Sequence, residues 1–189
     1  MRLVDRLNEQ DYDHPPEGTI QYLSQQTFEQ MPAHNFVINV LEDILKHFKA
    51  PYQPLGKVLK GGTGISTRDD RSFFRTFKNG QAPPDWIPFY KNGGRKDDWF
   101  YEPKYYIHKG WPDYVDSVEN FTVRNRSYFY QRGITCSSMG VDFSAALLPE
   151  GSLFGVNANL FPAHEGDLYY FLGLLKSKLI KYMVRKFLN

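Results

Sequence analysis

The 189-residue chain has one cysteine, Cys136, which excludes an internal disulfide framework and a cysteine-based zinc site. A lone thiol fits a reducing compartment. Long apolar runs are also lacking: no stretch nears the roughly 20 residues that a membrane-spanning helix needs. The opening "MRLVDRLNEQDYDHPPEG" carries no apolar signal-peptide region. A cytoplasmic location with no membrane partner is therefore expected. The histidines His14, His34, His47, His108 and His164 show no paired spacing, so no metal site is expected. Ser137 and Ser138 follow Cys136 in "GITCSSMG", but no nucleophile elbow surrounds them.

Aromatic side chains and unevenly placed charge are what the chain does have. Phe, Tyr and Trp make up 16% of it, enough to fill a core and leave Tyr for a binding face. Apolar residues make up 41%, sufficient for one domain with a small appendage. The net charge of +2 divides into −4 over residues 1–54, +5 over 57–111, −3 over 112–165 and +4 over 166–189. A basic middle and a basic end suit a polyanion partner.

The pattern along the chain predicts an α+β fold: N-terminal helices, an irregular β-rich middle with long loops, and a long C-terminal helix. Residues 1–18, with Pro15-Pro16 and Gly18, read as an extended lead-in. "TIQYLSQQTFEQM" and "NFVINVLEDILKHFKA" read as helices, the second capped by Asn35 with Val37, Val40, Leu41, Ile44, Leu45 and Phe48 on its apolar face. "LGKVLKGG", "DWIPFYK", "WFYEPKYYIHKGW", "RSYFYQRGIT", "FSAALLP" and "GSLFGVNANLF" read as strands, and "YVDSVENF" as a short helix. "GDLYYFLGLLKSKLIKYMVRKFLN" reads as one strong helix, with basic residues late where they suit the helix dipole. The organisation is a lead-in over 1–54, a β-rich body over 55–165 and a packing helix over 166–189, forming one globular unit.

"GGTGISTRDDRSFF" (61–74) lacks the Lys of a P-loop and the third glycine of a dinucleotide fingerprint. It still offers backbone N–H groups, two hydroxyls and two arginines, which suit phosphates or base edges. "PPDW" (83–86) resembles an adenine-methyltransferase tetrapeptide, but Ala82 and Asp85 occupy the amide and aromatic positions, so neither role is filled. Asp85, Glu102 and Lys104 match the spacing of a PD-(D/E)xK nuclease, in which two carboxylates hold a divalent metal. That metal-dependent nuclease stands as the alternative.

Several blocks together resemble the TaqI-like C-terminal specificity domain of type IIG restriction–modification enzymes and BREX-type adenine methyltransferases. They are "GTGISTRDDRSFFRTF", "WIPFYKNGGRKDDWFYEPKYYIHKGW" and "SYFYQRGITCSSMGVDFSAALLPEGSLFGVNANLF" with the helix that follows. The resemblance covers roughly residues 26 to 189. Arg68 stands where the family has Gly, Cys136 where it has Trp, Ala146 where it has Arg and Lys176 where it has Asn. The family continues beyond the position of "FLN", so a fragment or split subunit is expected.

The resemblance implies a non-catalytic target-recognition domain that binds double-stranded DNA. The catalyst would be an adenine methyltransferase domain, in cis or as a separate subunit. S-adenosylmethionine, with magnesium as a candidate second cofactor, would belong to that parent enzyme and not to this segment. The candidate DNA-binding residues lie on loops 61–71, 91–98 and 133–142: Arg68, Arg71, Lys91, Asn92, Arg95 and Lys96 first, then Thr63, Ser66, Thr67, Ser137 and Ser138. Cations would meet phosphates, while Arg suits guanine and Asn suits adenine.

Overall fold

The computed structural model describes residues 2–4, 20–22, 25–29, 31, 37, 40, 42–48, 51, 53–78, 81–95, 98–137, 142–163 and 165–187. The chain divides into two units, Met1–Pro54 and Leu55–Asn189. In the first, β1 (Arg2–Val4) pairs antiparallel with β2 (Ile20–Tyr22), and two short helices follow, α1 (Gln25–Glu29) and α2 (Glu42–Leu45), the latter running into a 3-10 turn at Lys46–Phe48. Ile20 and Tyr22 alternate about Gln21, a period-two pattern that favours the strand over the expected helix. Val37 and Val40 are not helical, and among the described residues the expected long helix is seen at Glu42–Phe48; its proposed cap Asn35 lies outside the described residues.

The second unit opens with α3 (Leu55–Val58), where a strand was expected. Leu55, Val58 and Leu59 are spaced three and four apart, which suits one helical turn, and Leu59 N–H donates to Leu55 C=O at 2.8 Å. Then come β3 (Ile65–Ser66), α4 (Asp70–Phe73), β4 (Phe74–Arg75), β5 (Trp86–Asn92) and β6 (Tyr105–His108). A 3-10 turn covers Trp111–Tyr114, β7 is Thr122–Val123, and another 3-10 turn covers Arg126–Tyr128. The chain closes with β8 (Gly133–Ser137), β9 (Ala145–Leu148), β10 (Leu153–Pro162), α5 (Glu165–Lys176) and α6 (Lys178–Phe187). Helices and a mixed sheet together make the fold α+β.

The ten-residue strand β10 is the spine of that sheet. The main order is β4-β6-β5-β10-β3-β7, with β8 attached to the far half of β10 and β9 paired to β8. Along one edge, Leu153–Asn157 pairs parallel with β5 and Ala158–Pro162 pairs antiparallel with β8. The other edge holds β3 and a bridge from Gly62 to Leu160. Two strands thus approach one edge from opposite ends and meet between Asn157 and Ala158. Each must turn away there. Gly93 makes the turn at the end of β5: its N–H donates to Asn157 C=O at 3.0 Å, and a Cβ at this position would lie 1.9 Å from Cys136 O. Gly94 follows at φ +61, in the left-handed region that glycine adopts freely.

Two apolar clusters hold the unit together. Ile65, Phe89, Ile107, Phe129, Phe154 and Leu160 belong to the larger, which is rich in edge-to-face aromatic pairs. The smaller lies where Leu168, Leu172 and Leu175 of α5 meet Ile134, Cys136 and Ala145. Ala158 and Leu160 serve the first cluster and Phe161 the second, following the two-residue period of a strand.

The expected single terminal helix is two helices broken at Ser177. The Ser177 hydroxyl accepts from Ile180 N–H at 3.2 Å, the geometry of an N-cap, so a polar cap stops one helix and starts the next. Among the described residues no helix is long and apolar enough to cross a membrane.

Replacing Ser177 with Ala is expected to lower unfolding stability by about 1 kcal/mol in urea titration. Gly64→Ala puts a Cβ 2.0 Å from Phe154 O and should lose about 2 kcal/mol or more. Gly173→Ala, with nothing within 4 Å, should gain about 0.5–1 kcal/mol from helix propensity.

Candidate nucleic-acid interface

Gly155 of β10 pairs with Ile65, Asn157 with Asn92 and Ala158 with Ser137. The three segments that follow β3, β5 and β8 therefore leave the sheet within four consecutive residues of β10. Among the described residues, the candidates Arg68, Arg71 and Arg95 lie on these segments, and Ser66, Lys91, Asn92 and Ser137 lie at the strand ends that lead into them.

The first segment runs from Ser66 into α4. Arg68 is exposed at φ +58, a left-handed conformation that is uncommon for a residue with a side chain. A glycine would adopt that conformation freely. Asp69 caps α4, accepting from both Oγ and N–H of Ser72. The Ser72 hydroxyl first, then its backbone N–H, holds the Asp69 carboxyl below the ordinary carboxylate range. Arg71 is exposed; Arg75 donates to the carbonyls of Arg71 and Phe74, closing the C-terminal end of the same short helix. Thr67, in contrast, is only 1% exposed, and its hydroxyl donates to Asp70 at 2.9 Å. Its role is to fix the turn, and the expected DNA contact is corrected accordingly. Thr63 and Ser66 are half-buried, and the Thr63 carbonyl accepts from Asn125 Nδ2 at 2.8 Å. The glycines of "GGTG" answer to packing as well: a side chain on Gly62 would collide with Asn125, and one on Gly64 with the Phe154 backbone.

The second segment forms a cleft of about 350 Å³ at the end of β5. Lys91 pairs with Asp70, tying this segment to the first. The Asp70 hydrogen bond raises the Lys91 ammonium above its ordinary value. Lys91 and Lys104 both lie over the Tyr105 ring, at 5.7 and 5.4 Å from its centre. Arg95 pairs with Asp98 at 3.4 Å, both exposed. The Tyr101 hydroxyl donates to Asn92 C=O at 2.7 Å, and the Tyr90 hydroxyl donates to Tyr101 C=O at 3.0 Å. These bonds leave the Asn92 side chain exposed. Burial pushes the Tyr101 phenol up to about 12 and the Tyr90 phenol higher still. Lys96 lies outside the described residues.

The third segment begins at Ser137. Its hydroxyl donates to Asp142 C=O and accepts from Ser144 N–H, so it closes the hairpin. Ser138 lies outside the described residues. Cys136 is buried, and burial pushes its thiol up to about 12. Ala146 is wholly buried. Lys176 donates to Asp98 C=O at 2.8 Å and Ala145 C=O at 3.3 Å, and lies over the Trp99 ring. Trp99 C=O in turn accepts from Leu147 N–H at 2.8 Å. The loop after β5 is thus pinned to β9 and to α5.

A search of protein-family models and of curated proteins finds no match to this chain.

Asn157 was not among the candidates from sequence. It is exposed and stands opposite Asn92 across the parallel pair. Asn is disfavoured in strands, so an Asn within "LFGVNANLF" was the available signal. Of the nuclease alternative's residues, Asp85 and Lys104 lie at opposite ends of the β5–β6 ladder. Asp85 lies opposite Lys109, whose N–H donates to its carbonyl, while Lys104 lies beyond the Phe89–Tyr105 pair at the other end of the β5–β6 ladder. At about 3.4 Å per residue the two are roughly 17 Å apart. Among the described residues no group of three or more His, Cys, Asp or Glu is placed to hold a metal ion.

The raised acids make the fold alkali-sensitive. Cys136 and Tyr101 stay neutral in the folded chain until about 12, whereas the unfolded chain ionises them near 9 and 10. Their contribution is fully present below pH 9 and lost as pH rises toward 12. Urea midpoints should fall across that window. At neutral pH, Cys136 should react with a thiol reagent only after unfolding.

Proposed function

We propose that the Leu55–Asn189 unit is a DNA target-recognition module that positions itself on phosphates and reads base edges. The observation that carries this reading is the common exit of three loops at Gly155–Ala158 of β10. Arg68, Arg71, Arg95 and Lys104 are exposed cations around that region and are assigned to phosphates. Asn92 and Asn157 are an exposed amide pair, suited to adenine edges. In keeping with the family resemblance, methyl transfer belongs to an adenine methyltransferase partner, in cis or separate, that binds S-adenosylmethionine. The parent is a restriction–modification enzyme, and the chain works in the cytoplasm.

Local charge tempers the affinity. Lys91 and Arg95 each face a carboxylate, Asp70 and Asp98. Exposed pairs of this kind are worth only about 0–1 kcal/mol, so a phosphate can take the cation from its partner. Binding by the isolated unit should therefore be salt-sensitive and modest.

Fluorescence anisotropy with a labelled duplex tests this. Four phosphate contacts give a slope of roughly −3.6 in log K against log salt. Arg95→Ala should flatten the slope by about 0.9. No binding at low salt, or an unchanged slope, contradicts the reading. The duplex should stay intact with magnesium; cutting that is lost in Asp85→Ala would carry the nuclease alternative.

A further inference from the structure

We infer that a second, aromatic cleft in the same unit receives a single unstacked nucleobase, an assignment that rests on the DNA-reading role proposed above. The cleft has a volume of about 360 Å³ and is walled by Phe73, Trp86, Ile107, His108, Trp111 and Tyr114, with Ser72 at its edge. It lies at the Trp86–His108 end of the β5–β6 ladder, away from the Lys91–Lys104 cleft.

Its walls are built for a flat ring. Trp111 and Ile107 are buried, at 4% and 0% exposure, while Tyr114 is 49% exposed and His108 is also exposed. A buried floor beneath an exposed aromatic rim makes a slot open to solvent. Phe73 and Tyr114 meet edge to face at 5.4 Å, as do Trp86 and His108 at 5.5 Å. Such faces stack on a base whatever its sequence. The volume is at the small end of ligand pockets, which run from about 300 to 1,000 Å³, and suits a single base.

Hydrogen-bond donors select the occupant further. Trp111 Nε1–H is buried with no hydrogen-bond partner among the described residues, and such an orphan is costly to leave unmet. His108 Nδ1 accepts from Gly110 N–H at 3.1 Å, so the neutral ring carries its hydrogen on Nε2, a second donor. Two donors fit the carbonyl oxygens and ring nitrogens of a base. An aliphatic occupant would leave the indole N–H unmet. No carboxylate lines the cleft, which disfavours an organic cation.

Location connects the cleft to the loops. Ser72 and Phe73 belong to α4, directly after Arg71 and four and five residues after Arg68. Phosphates held by these arginines would bring a flanking nucleotide to the cleft, and only an unstacked base presents its face there.

The test compares a fully paired duplex with the same duplex carrying one unpaired base, using the full chain and anisotropy. The unpaired base should bind roughly tenfold tighter, the size of one base–aromatic stack. Tyr114→Ala, at an exposed rim position, should erase that preference and leave paired-duplex binding unchanged. Trp111→Phe keeps an aromatic ring, though a smaller one, and removes the N–H, and should reduce the preference severalfold. Where duplex binds, no preference, or one that survives Tyr114→Ala, overturns the cleft assignment. Mononucleotides separate this from the wider reading. Quenching of tryptophan emission by thymidine monophosphate that Tyr114→Ala abolishes supports the cleft even if neither duplex binds. Duplex binding with neither quenching nor preference overturns the cleft alone.

Discussion

One edge of β10 is shared by β5 and β8, which reach it from opposite ends. Backbone hydrogen bonding leaves no room for both past the junction at Asn157 and Ala158, so each chain must leave the sheet there. Gly93 and Gly94 answer that constraint on one side, since a side chain on Gly93 would overlap the Cys136 carbonyl. On the opposite edge, Gly64 lets the chain come within hydrogen-bonding distance of Gly155 at 3.2 Å and continue into β3. The loops that carry Arg68, Arg71, Asn92 and Arg95 are neighbours because three strands end against the same part of one strand.

Rigidity follows from the same arrangement. The loop after β5 is held at Asn157, Leu147 and Lys176, and the loop after β3 is held by the Thr67–Asp70 hydrogen bond and by the Lys91–Asp70 pair. Loops fixed at several backbone points can present side chains in set positions, which base reading requires. In the proposed DNA-reading role, binding through exposed cations would not need to reorganise the fold. Surface ion pairs that are individually weak suit that role, because a phosphate can replace a carboxylate at little loss.

The sequence made the sheet partly legible. Strands with long alternating or aromatic runs, such as Trp86–Asn92 and Leu153–Pro162, declared themselves, and so did the apolar face of α5 at Leu168, Leu172 and Leu175. Short elements were harder. Leu55–Val58 and Ile20–Tyr22 each span a few residues, where helical and strand spacing overlap. The break at Ser177 was hidden because apolar spacing continues across it, and only the cap reveals it. At the site, exposed arginines and Asn92 were visible as loop residues. Thr67 looked equally available, yet its hydroxyl is taken by Asp70, a contact no linear pattern displays. The glycines of "GGTG" read as a turn toward a ligand, whereas Gly62 and Gly64 face Asn125 and Phe154 of the fold itself. Asn157 and the Trp111 cleft depend on strand register and on residues distant in sequence.

In the proposed role, the segments after β3, β5 and β8 form one DNA-facing surface. Hydrogen–deuterium exchange of the full chain, with and without a duplex at low salt, reads that surface segment by segment. The expected result is slowed exchange in all three segments together, with α6 unchanged. Protection confined to α6, or to one segment without the other two, would contradict it.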